Sequence, residues 1–238
     1  MTGTLINAAT VLVGTAVGTL LGSRLPERIR ETLIHGLGLV TLVVGISQGL
    51  EAFRPPLSDV TRGAVLVVLG SVLVGGVLGE FLRIERGLDR AGRALKARFG
   101  RDQPRFTEGF VVASLVFCVG PLTILGSIQD GLTGDYQLLA IKSLLDGFAA
   151  LAFASALGWG VGFSVVTILV YQGALSLSAS AVAGAFSDAM IAAMSAVGGV
   201  LILGIALRLL ELREVRVANL LPALVLAPAA VAVLEGLR

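Results

Sequence analysis

Residues 137–157 read QLLAIKSLLDGFAALAFASAL, a stretch in which only Lys142 and Asp146 carry a charge. An α-helix rises 1.5 Å per residue, so a helix of about 20 residues crosses a hydrocarbon core about 30 Å thick. We therefore predict that this stretch is a membrane-spanning helix. Similar apolar stretches recur on both sides of it.

The composition of the whole chain agrees with a membrane protein. Of its 238 residues, 55% are hydrophobic and 14% are charged, and the mean hydropathy is +0.93. Average soluble proteins are about one quarter charged, which excludes an ordinary water-soluble enzyme. The alternating pattern of a membrane β-barrel is absent. The expected fold is all-α, a polytopic transmembrane helix bundle that forms one integral membrane domain over residues 1–238.

About eight spans are predicted from the positions of the apolar segments. Their approximate bounds are 5–22, 31–50, 63–82, 108–126, 137–157, 160–177, 188–210 and 217–234. Three of these helices carry closely spaced glycines and are followed by basic residues, which is compatible with repeated helical hairpins in two four-helix halves. The same glycines are equally typical of close helix packing or of a homodimer interface, and we favour packing for most of them.

The orientation follows from the lysines and arginines, which are retained in cytoplasmic loops. They form three clusters, after the first, third and seventh spans. Their members are Arg24, Arg28 and Arg30; Arg83, Arg86, Arg90, Arg93, Lys96, Arg98, Arg101 and Arg105; and Arg208, Arg213 and Arg216. Eight alternating spans place all three clusters on one side, whereas seven would separate the third from the others. We expect a multi-pass membrane protein with both termini outside.

The largest basic segment, residues 84–106, reads IERGLDRAGRALKARFGRDQPRF. Its apolar residues recur at helical spacing among the arginines, which predicts an amphipathic cytoplasmic helix on the inner leaflet. Each basic residue near an anionic surface contributes about 1 kcal/mol, so anionic lipid is a candidate partner. A solvated loop that only fixes the orientation explains the segment as well. No aromatic-plus-basic pattern accompanies the arginines, and no nucleic-acid partner is expected.

Lys142 and Asp146 are the candidate functional pair. They are four residues apart, on one face of the predicted helix, and Asp146 is expected near the middle of the membrane. Ionisable residues at this depth cost about 3 kcal/mol on insertion scales and mark functional sites by default. The alternative is a structural ion pair that fixes the fifth helix against its neighbours.

A second candidate region precedes this helix. Pro121 removes a backbone donor, so the fourth helix is expected to break near Val119. Broken helices at membrane depth expose backbone groups that bind ions when they line a cavity. Further candidates for lining that site follow in the segment, and an external turn explains them equally well: Gly126, Gln129, Asp130, Thr133 and Asp135.

Secondary candidates are polar residues in or beside other apolar helices: Asn7, Gln48, Gln172 and Asp188. Each is more typical of a hydrogen bond between helices, and Asp188 follows Ser187 at a predicted helix start, where capping is expected. His35 has no histidine or cysteine partner, and Cys118 is the one cysteine, so no metal site is predicted. No cofactor motif is present.

Residues 118–147, CVGPLTILGSIQDGLTGDYQLLAIKSLLDG, and the opening GTLINAATVLVGTAVG resemble the bacterial membrane family of the domain of unknown function 554, the YdfK/YqgA-like proteins. The resemblance covers the whole chain. It implies a multi-spanning inner-membrane protein that is suspected of transport, without an established substrate. The motif of the family also marks five candidate residues, Gln129, Asp130, Asp135, Lys142 and Asp146.

The leading hypothesis is a secondary transporter or channel for a small solute or ion. Lys142 would bind an anionic group or exchange a proton, and Asp146 would pair with it and bind a competing cation. The first alternative is an intramembrane enzyme with hydrolase-like aspartates, for which Asp130, Asp135 and Asp146 are the candidates; an enzyme is the less favoured class. The second is a membrane scaffold in which residues 84–106 bind anionic lipid or a partner protein.

Overall fold

The computed structural model describes residues 1–61, 63–99, 104–118, 121–182 and 186–237. Across these ranges the regular structure is helical, with no strand. The α-helices in chain order are α1 (Thr2–Gly22), α2 (Glu27–Gly49), α3 (Leu57–Val60), α4 (Ala64–Leu82), α5 (Ile84–Phe99), α6 (Phe106–Cys118), α7 (Pro121–Thr133), α8 (Gln137–Leu157), α9 (Ser164–Leu177), α10 (Ala179–Val182), α11 (Asp188–Leu209) and α12 (Ala223–Gly236). Short 3₁₀ helices lie at Leu50–Phe53, Trp159–Phe163 and Val217–Leu220.

The number of membrane spans agrees with the prediction. Within the described ranges, seven helical segments are long and apolar enough to cross a membrane, and α6 and α7 together form an eighth if the bent pair is one span. The pair is bent by 64°. The all-α membrane fold is therefore confirmed.

The chain divides into two compact units, and each combines separate parts of the sequence. Unit 1 consists of residues 1–37 and 89–183, and unit 2 consists of residues 38–88 and 184–238. Unit 1 contains the first, fourth, fifth and sixth predicted spans, and unit 2 contains the third, seventh and eighth and the second from Gly38 onward. The division into units therefore does not follow the order of hairpins along the chain.

In unit 1, α1 and α8 run parallel with their backbones in direct contact. A Cβ atom on Gly14, Gly18 or Gly22 would overlap the carbonyl oxygen of Gly147, Leu151 or Ser155, respectively. Only glycine permits this approach, which is how small residues bring membrane helices together. Most of the glycines that the sequence associates with packing do pack, whereas Gly70 has open space around it.

The bent pair of α6 and α7 crosses unit 1 from one end to the other. At its start, Phe106 lies against Gly160, just before α9, and near its end Gly131 lies against Ser176 in the last turns of α9. The pair thus runs beside the whole of α9. It is best counted as one broken span, which gives eight.

In unit 2, neighbouring helices run antiparallel. Gly38 of α2 contacts Leu210 directly after α11, and Gly45 of α2 lies against Leu203. Gly79, near the end of α4, contacts the backbone of Asn219 just before α12. These directions are those expected for eight alternating spans.

Basic residues from different clusters meet at one end of each unit. In unit 1, Arg30 and Arg105 line the same cavity. In unit 2, two members of the third cluster pair with acidic residues on either side of Arg83, a member of the second cluster: Arg208 lies 3.5 Å from Glu85, and Arg216 lies 2.9 Å from Glu80. Within each unit, basic residues therefore lie at one end, as the eight-span interpretation requires, while the side of the membrane that they face remains a prediction.

Two sequence-based expectations need refinement. The fourth span, expected to end near Gly126, continues as α7 to Thr133, so the external turn that was one interpretation of residues 126–135 is confined to residues 134–136. In the last turn of α7, Thr133 Oγ1 donates to Gln129 O at 2.9 Å, and Gly134 then adopts a left-handed φ of 74° that ends the helix. The basic segment is helical over Ile84–Phe99, and residues 100–103 lie outside the described ranges.

We predict that Gly18→Ala destabilises unit 1 by about 1–3 kcal/mol, because the added methyl group would overlap backbone that cannot move aside cheaply. Thermal melting of the purified protein in detergent measures the effect. The matched control is Gly36→Ala in α2, where a Cβ meets nothing within 4 Å. Equal melting temperatures for the two variants would contradict the described contact between α1 and α8.

We also predict that Tyr136 and Ser178 face the side of the membrane opposite to Ser23, because α6 and α7 together make one crossing. All three residues are exposed. Single-cysteine variants at these positions, in a Cys118→Ala background, are labelled with an impermeant maleimide in intact and in permeabilised cells. Labelling of all three from the same side would mean that α6 and α7 form a re-entrant pair.

Candidate functional site

The centre of the site is an ion pair on α8. Lys142 Nζ pairs with Asp146 Oδ2 one helical turn away. Both side chains are largely buried, with exposed fractions of 8% and 12%. Asp146 lies nine residues after the start of α8, which places it about 13 Å along the helix, near the middle of a span.

Two amides connect this ion pair to α1 and α9. Asn7 Nδ2 lies 3.0 Å from Asp146 Oδ2 and 3.0 Å from Gln172 Oε1. Gln172 Nε2 in turn donates to Thr4 Oγ1 at 3.3 Å. Asn7, Gln172 and Thr4 are at most 1% exposed. Three spans therefore contribute to one buried polar cluster, which comprises Thr4, Asn7, Lys142, Asp146 and Gln172.

The carboxylate of Asp146 sets the direction of these hydrogen bonds. An ionised carboxylate only accepts, so Asn7 must present its NH₂ group to Asp146. The same NH₂ group reaches Gln172, which must therefore present its carbonyl oxygen to Asn7. Asn7 Oδ1 is left buried without a partner. Each side-chain nitrogen of the polar cluster makes at least one hydrogen bond, whereas an amide oxygen beside the ion pair makes none.

The end of α6 lies near the ion pair. Cys118, the last residue of α6, is near enough to interact electrostatically with both Lys142 and Asp146. Pro121 begins α7 as its ring favours, because proline has no N–H group to leave unpaired in the first turn. The break predicted at Val119 falls on residues outside the described ranges, but the helices on both sides of it are described.

The acidic residues of the second candidate region have separate partners. Asp135 Oδ2 accepts a hydrogen bond from Gln129 Nε2 at 2.8 Å, and Asp135 Oδ1 accepts one from the backbone N–H of Gln137 at 3.0 Å. Gln129 and Asp135 thus close the turn into α8. Asp130 is buried in α7, where its Oδ2 accepts from Gly3 N at 3.1 Å and pairs with the Met1 amine at 2.9 Å.

The remaining predicted residues have packing or capping positions. Gly126 is buried where α7 approaches Leu139 of α8. Gln48 is half-buried in unit 2 on α2, and its Oε1 has no partner. Asp188 is exposed in the first turn of α11, also in unit 2, and Ser187 caps that helix by accepting from Met190 N at 3.2 Å. The capping expectation for this helix start is confirmed.

Several buried hydroxyl groups were missed by the sequence reasoning. In the described residues, seven of the eight buried side-chain polar atoms without a hydrogen-bond partner belong to unit 1. These seven are Asn7 Oδ1, Thr15 Oγ1, Thr19 Oγ1, Arg30 Nε, Asp130 Oδ1, Ser164 Oγ and Ser176 Oγ. A signal was available, because Ser164, Gln172 and Ser176 lie on one face of α9 at multiples of four residues.

Apolar side chains interrupt the polar face between α1 and α9 at one height along the two helices. Thr4 and Asn7 are level with Gln172, and Thr15 lies beside Gly162, so the intervening level is that of Val11 and Ile168. Both side chains are fully buried. An apolar layer therefore separates the polar cluster from the polar groups nearer the basic end of unit 1.

A cavity of about 370 Å³ opens at that basic end. It is lined by Thr19, Ser23, Glu27, Arg30, Arg105 and Ser155, among others. A second, apolar groove of about 320 Å³ follows α1 and α8. Neither is lined by Lys142 or Asp146, so neither of these two spaces reaches the ion pair in this conformation.

Comparison with known proteins assigns the family. The model of the family described as Protein of unknown function (DUF554) matches residues 2–232. The chain belongs to DUF554. The family resemblance carried by residues 118–147 is thereby confirmed.

Two relatives of this DUF554 chain extend over nearly the same length. "Uncharacterized protein YqgA" from Escherichia coli (strain K12) is 34% identical over 230 residues, which cover 94% of each chain. "Uncharacterized membrane protein YdfK" from Bacillus subtilis (strain 168) is 29% identical over 240 residues, which cover 100% of each chain. No solved structure gives a significant match. The chain is therefore similar throughout to a named membrane protein.

We predict that removing both charges of the ion pair costs less stability than removing either one. Lys142→Met or Asp146→Leu alone leaves a buried charge without its partner, at a cost of about 3–5 kcal/mol, whereas the double variant is close to neutral. Thermal melting of the four proteins in detergent forms a double-mutant cycle. Additive losses in the double variant would mean that the two side chains do not interact.

Proposed function

We propose that this DUF554 protein is a secondary transporter or channel that moves a small solute or ion across the bacterial inner membrane through the interior of unit 1. The observation that carries the proposal is the Lys142–Asp146 ion pair, which is buried at mid-span between α1 and α9 and beside the break between α6 and α7. The basic ends of the units would face the cytoplasm and both termini the outside.

The energetics favour function over a purely structural role. Burying two charges costs several kcal/mol per ion in desolvation, and the attraction between them often only compensates for it. Apolar residues of similar volume would hold α8 against its neighbours equally well. Charges at this depth are typical of ion and substrate pathways. A structural pair would also have no need of the unpaired amide oxygen on Asn7.

The other polar groups of unit 1 extend the route beyond the ion pair. Asp130 and Ser176 lie towards one end of the unit, and Thr15, Thr19 and Ser164 lie towards the basic end. Buried polar atoms without partners are costly and usually bind water or a ligand. Val11 and Ile168 close the route between the two groups, so this conformation is occluded.

The break in the fourth span offers a way to open the route. The halves α6 and α7 are not one rigid rod, and broken helices supply both the binding groups and the moving parts in many transporters. A change in the angle between them would alter access to the ion pair without unfolding either helix.

We predict that Asp146→Asn abolishes flux through the protein. The substitution keeps the shape of the side chain and removes the charge that pairs with Lys142. Proteoliposomes are screened with radiolabelled or dye-reported ions, amino acids and organic acids. Asp188→Asn is the matched control, because Asp188 is an exposed aspartate in unit 2 and outside the polar cluster. Equal flux of every cargo through wild type and Asp146→Asn would overturn the proposal.

Cys118 provides a direct measurement of access. It is the one cysteine of the chain and the last residue of α6, within electrostatic reach of the ion pair. If the route opens, impermeant methanethiosulfonate reagents added from water modify Cys118 in wild-type protein, and substitution of Val11 by alanine accelerates the reaction. A thiol that stays unreactive from both sides of the membrane would show that unit 1 remains sealed.

The basic helix α5 suggests an additional contact with anionic lipid. Its start is fixed in unit 2, where Asn219 Oδ1 accepts from Glu85 N at 2.8 Å and Glu85 Oε2 accepts from Ala218 N at 2.8 Å. The enzyme alternative has weaker support, because Asp130, Asp135 and Asp146 each engage different partners. A homodimer remains a prediction.

A further inference from the structure

We infer that the species bound at Asp146 is a small cation, and that the Lys142 ammonium occupies its place on the carboxylate while the cation is absent. The inference rests on the proposed function and narrows its substrate class. It begins from the hydrogen-bonding capacity that the polar cluster leaves unused.

The buried atom of the polar cluster that has no partner is an acceptor. Lys142 donates to Asp146, both bonds from Asn7 Nδ2 are made, and Gln172 Nε2 donates to Thr4. Asn7 Oδ1 belongs to the same amide as the donor to Asp146, is fully buried and has no partner. A cation can bind this oxygen together with the carboxylate of Asp146, whereas both oxygens would repel an anion.

Oxygen atoms without partners also occur in the rest of the interior. Of the unpartnered buried atoms in the described part of unit 1, all are oxygens except Arg30 Nε at the basic end. Carboxylate, amide and hydroxyl oxygens are the ligands of hard cations. A small cation passing along α1 and α9 would therefore meet suitable ligands above and below the apolar layer.

Lys142 then acts as a resident competitor of the cation. Its ammonium is a compact charge on a flexible stem, which can leave Asp146 without moving the backbone. Arriving cation would pair with Asp146 and with the free Asn7 oxygen, and the displaced ammonium would repel a second cation. The ion pair keeps the empty site electrically neutral between binding events.

The experiment measures binding by thermal stability in detergent, at constant ionic strength. Purified wild-type protein is titrated with Li⁺, Na⁺ or K⁺ against choline, and separately with phosphate, acetate or chloride against gluconate. A ligand that binds the native state raises the melting temperature. We expect a shift with at least one of the three cations and none with the anions.

Two variants separate the roles of the charges. In Lys142→Met the competitor is absent, so the same cation should bind at least about tenfold more tightly, which corresponds to 1.4 kcal/mol. In Asp146→Asn the cation shift should disappear. Melting curves without added ions establish that each variant is folded, and Lys142→Gln repeats the first test with a polar side chain.

The outcomes distinguish this inference from the proposed function. An anion-dependent shift that is lost in Lys142→Met and kept in Asp146→Asn would overturn the cation inference while leaving transport in place. A cation shift equal in wild type and Asp146→Asn would mean that the ion binds elsewhere, and would also overturn it. Unreactive Cys118 together with no flux of any cargo would instead remove the proposed function itself.

Discussion

The contact between the backbones of α1 and α8 determines the position of the polar groups in unit 1. Glycines at four-residue spacing on α1 let the two helices run parallel at a distance that a side chain would prevent. Dispersion and close packing hold such helices together in lipid, where no hydrophobic effect favours their association. Because the helices are this close, the short side chain of Asn7 reaches Asp146 directly.

This contact determines the order of the hydrogen bonds in the polar cluster. Asp146 accepts, which orients the amide of Asn7, and Asn7 orients the amide of Gln172 on α9. A single carboxylate thus fixes polar groups on two further helices. Loss of the charge on Asp146 would remove the constraint that orients both amides. Substitution of Asp146 should therefore disturb Asn7 and Gln172 as well as the pair with Lys142.

Much of this architecture could be predicted from the sequence, for identifiable physical reasons. Apolar segments of membrane length give the spans, and the spacing of Lys142 and Asp146 puts them on one face of α8. The extent of α7 could not be predicted, because Gly126, Gly131 and Asp130 are typical of turns when tertiary contacts are unknown. In the fold, Gly131 permits contact with Ser176, and the carboxylate of Asp130 lies at the start of α1.

Contacts between residues on different helices could also not be predicted from the sequence. Asn7 and Gln172 looked alike as isolated amides, and nothing in one sequence shows that they meet the same ion pair. The hydroxyl groups of Thr15 and Ser164 were missed because serine and threonine commonly bond their own helix backbone. Only the absence of such a bond in the folded unit makes them notable.

Considered separately, the two units satisfy their polar groups differently. In unit 2, the main network lies at a helix end, where Asn219 Nδ2 donates to Glu80 at 2.6 Å and Arg216 also pairs with Glu80. Such groups are close to water and need no interior cavity to explain them. In unit 1 the charges lie at mid-span, beside a broken helix and unpaired oxygens. Because polar groups are most costly at that depth, unit 1 is the place where function is the better explanation for keeping them.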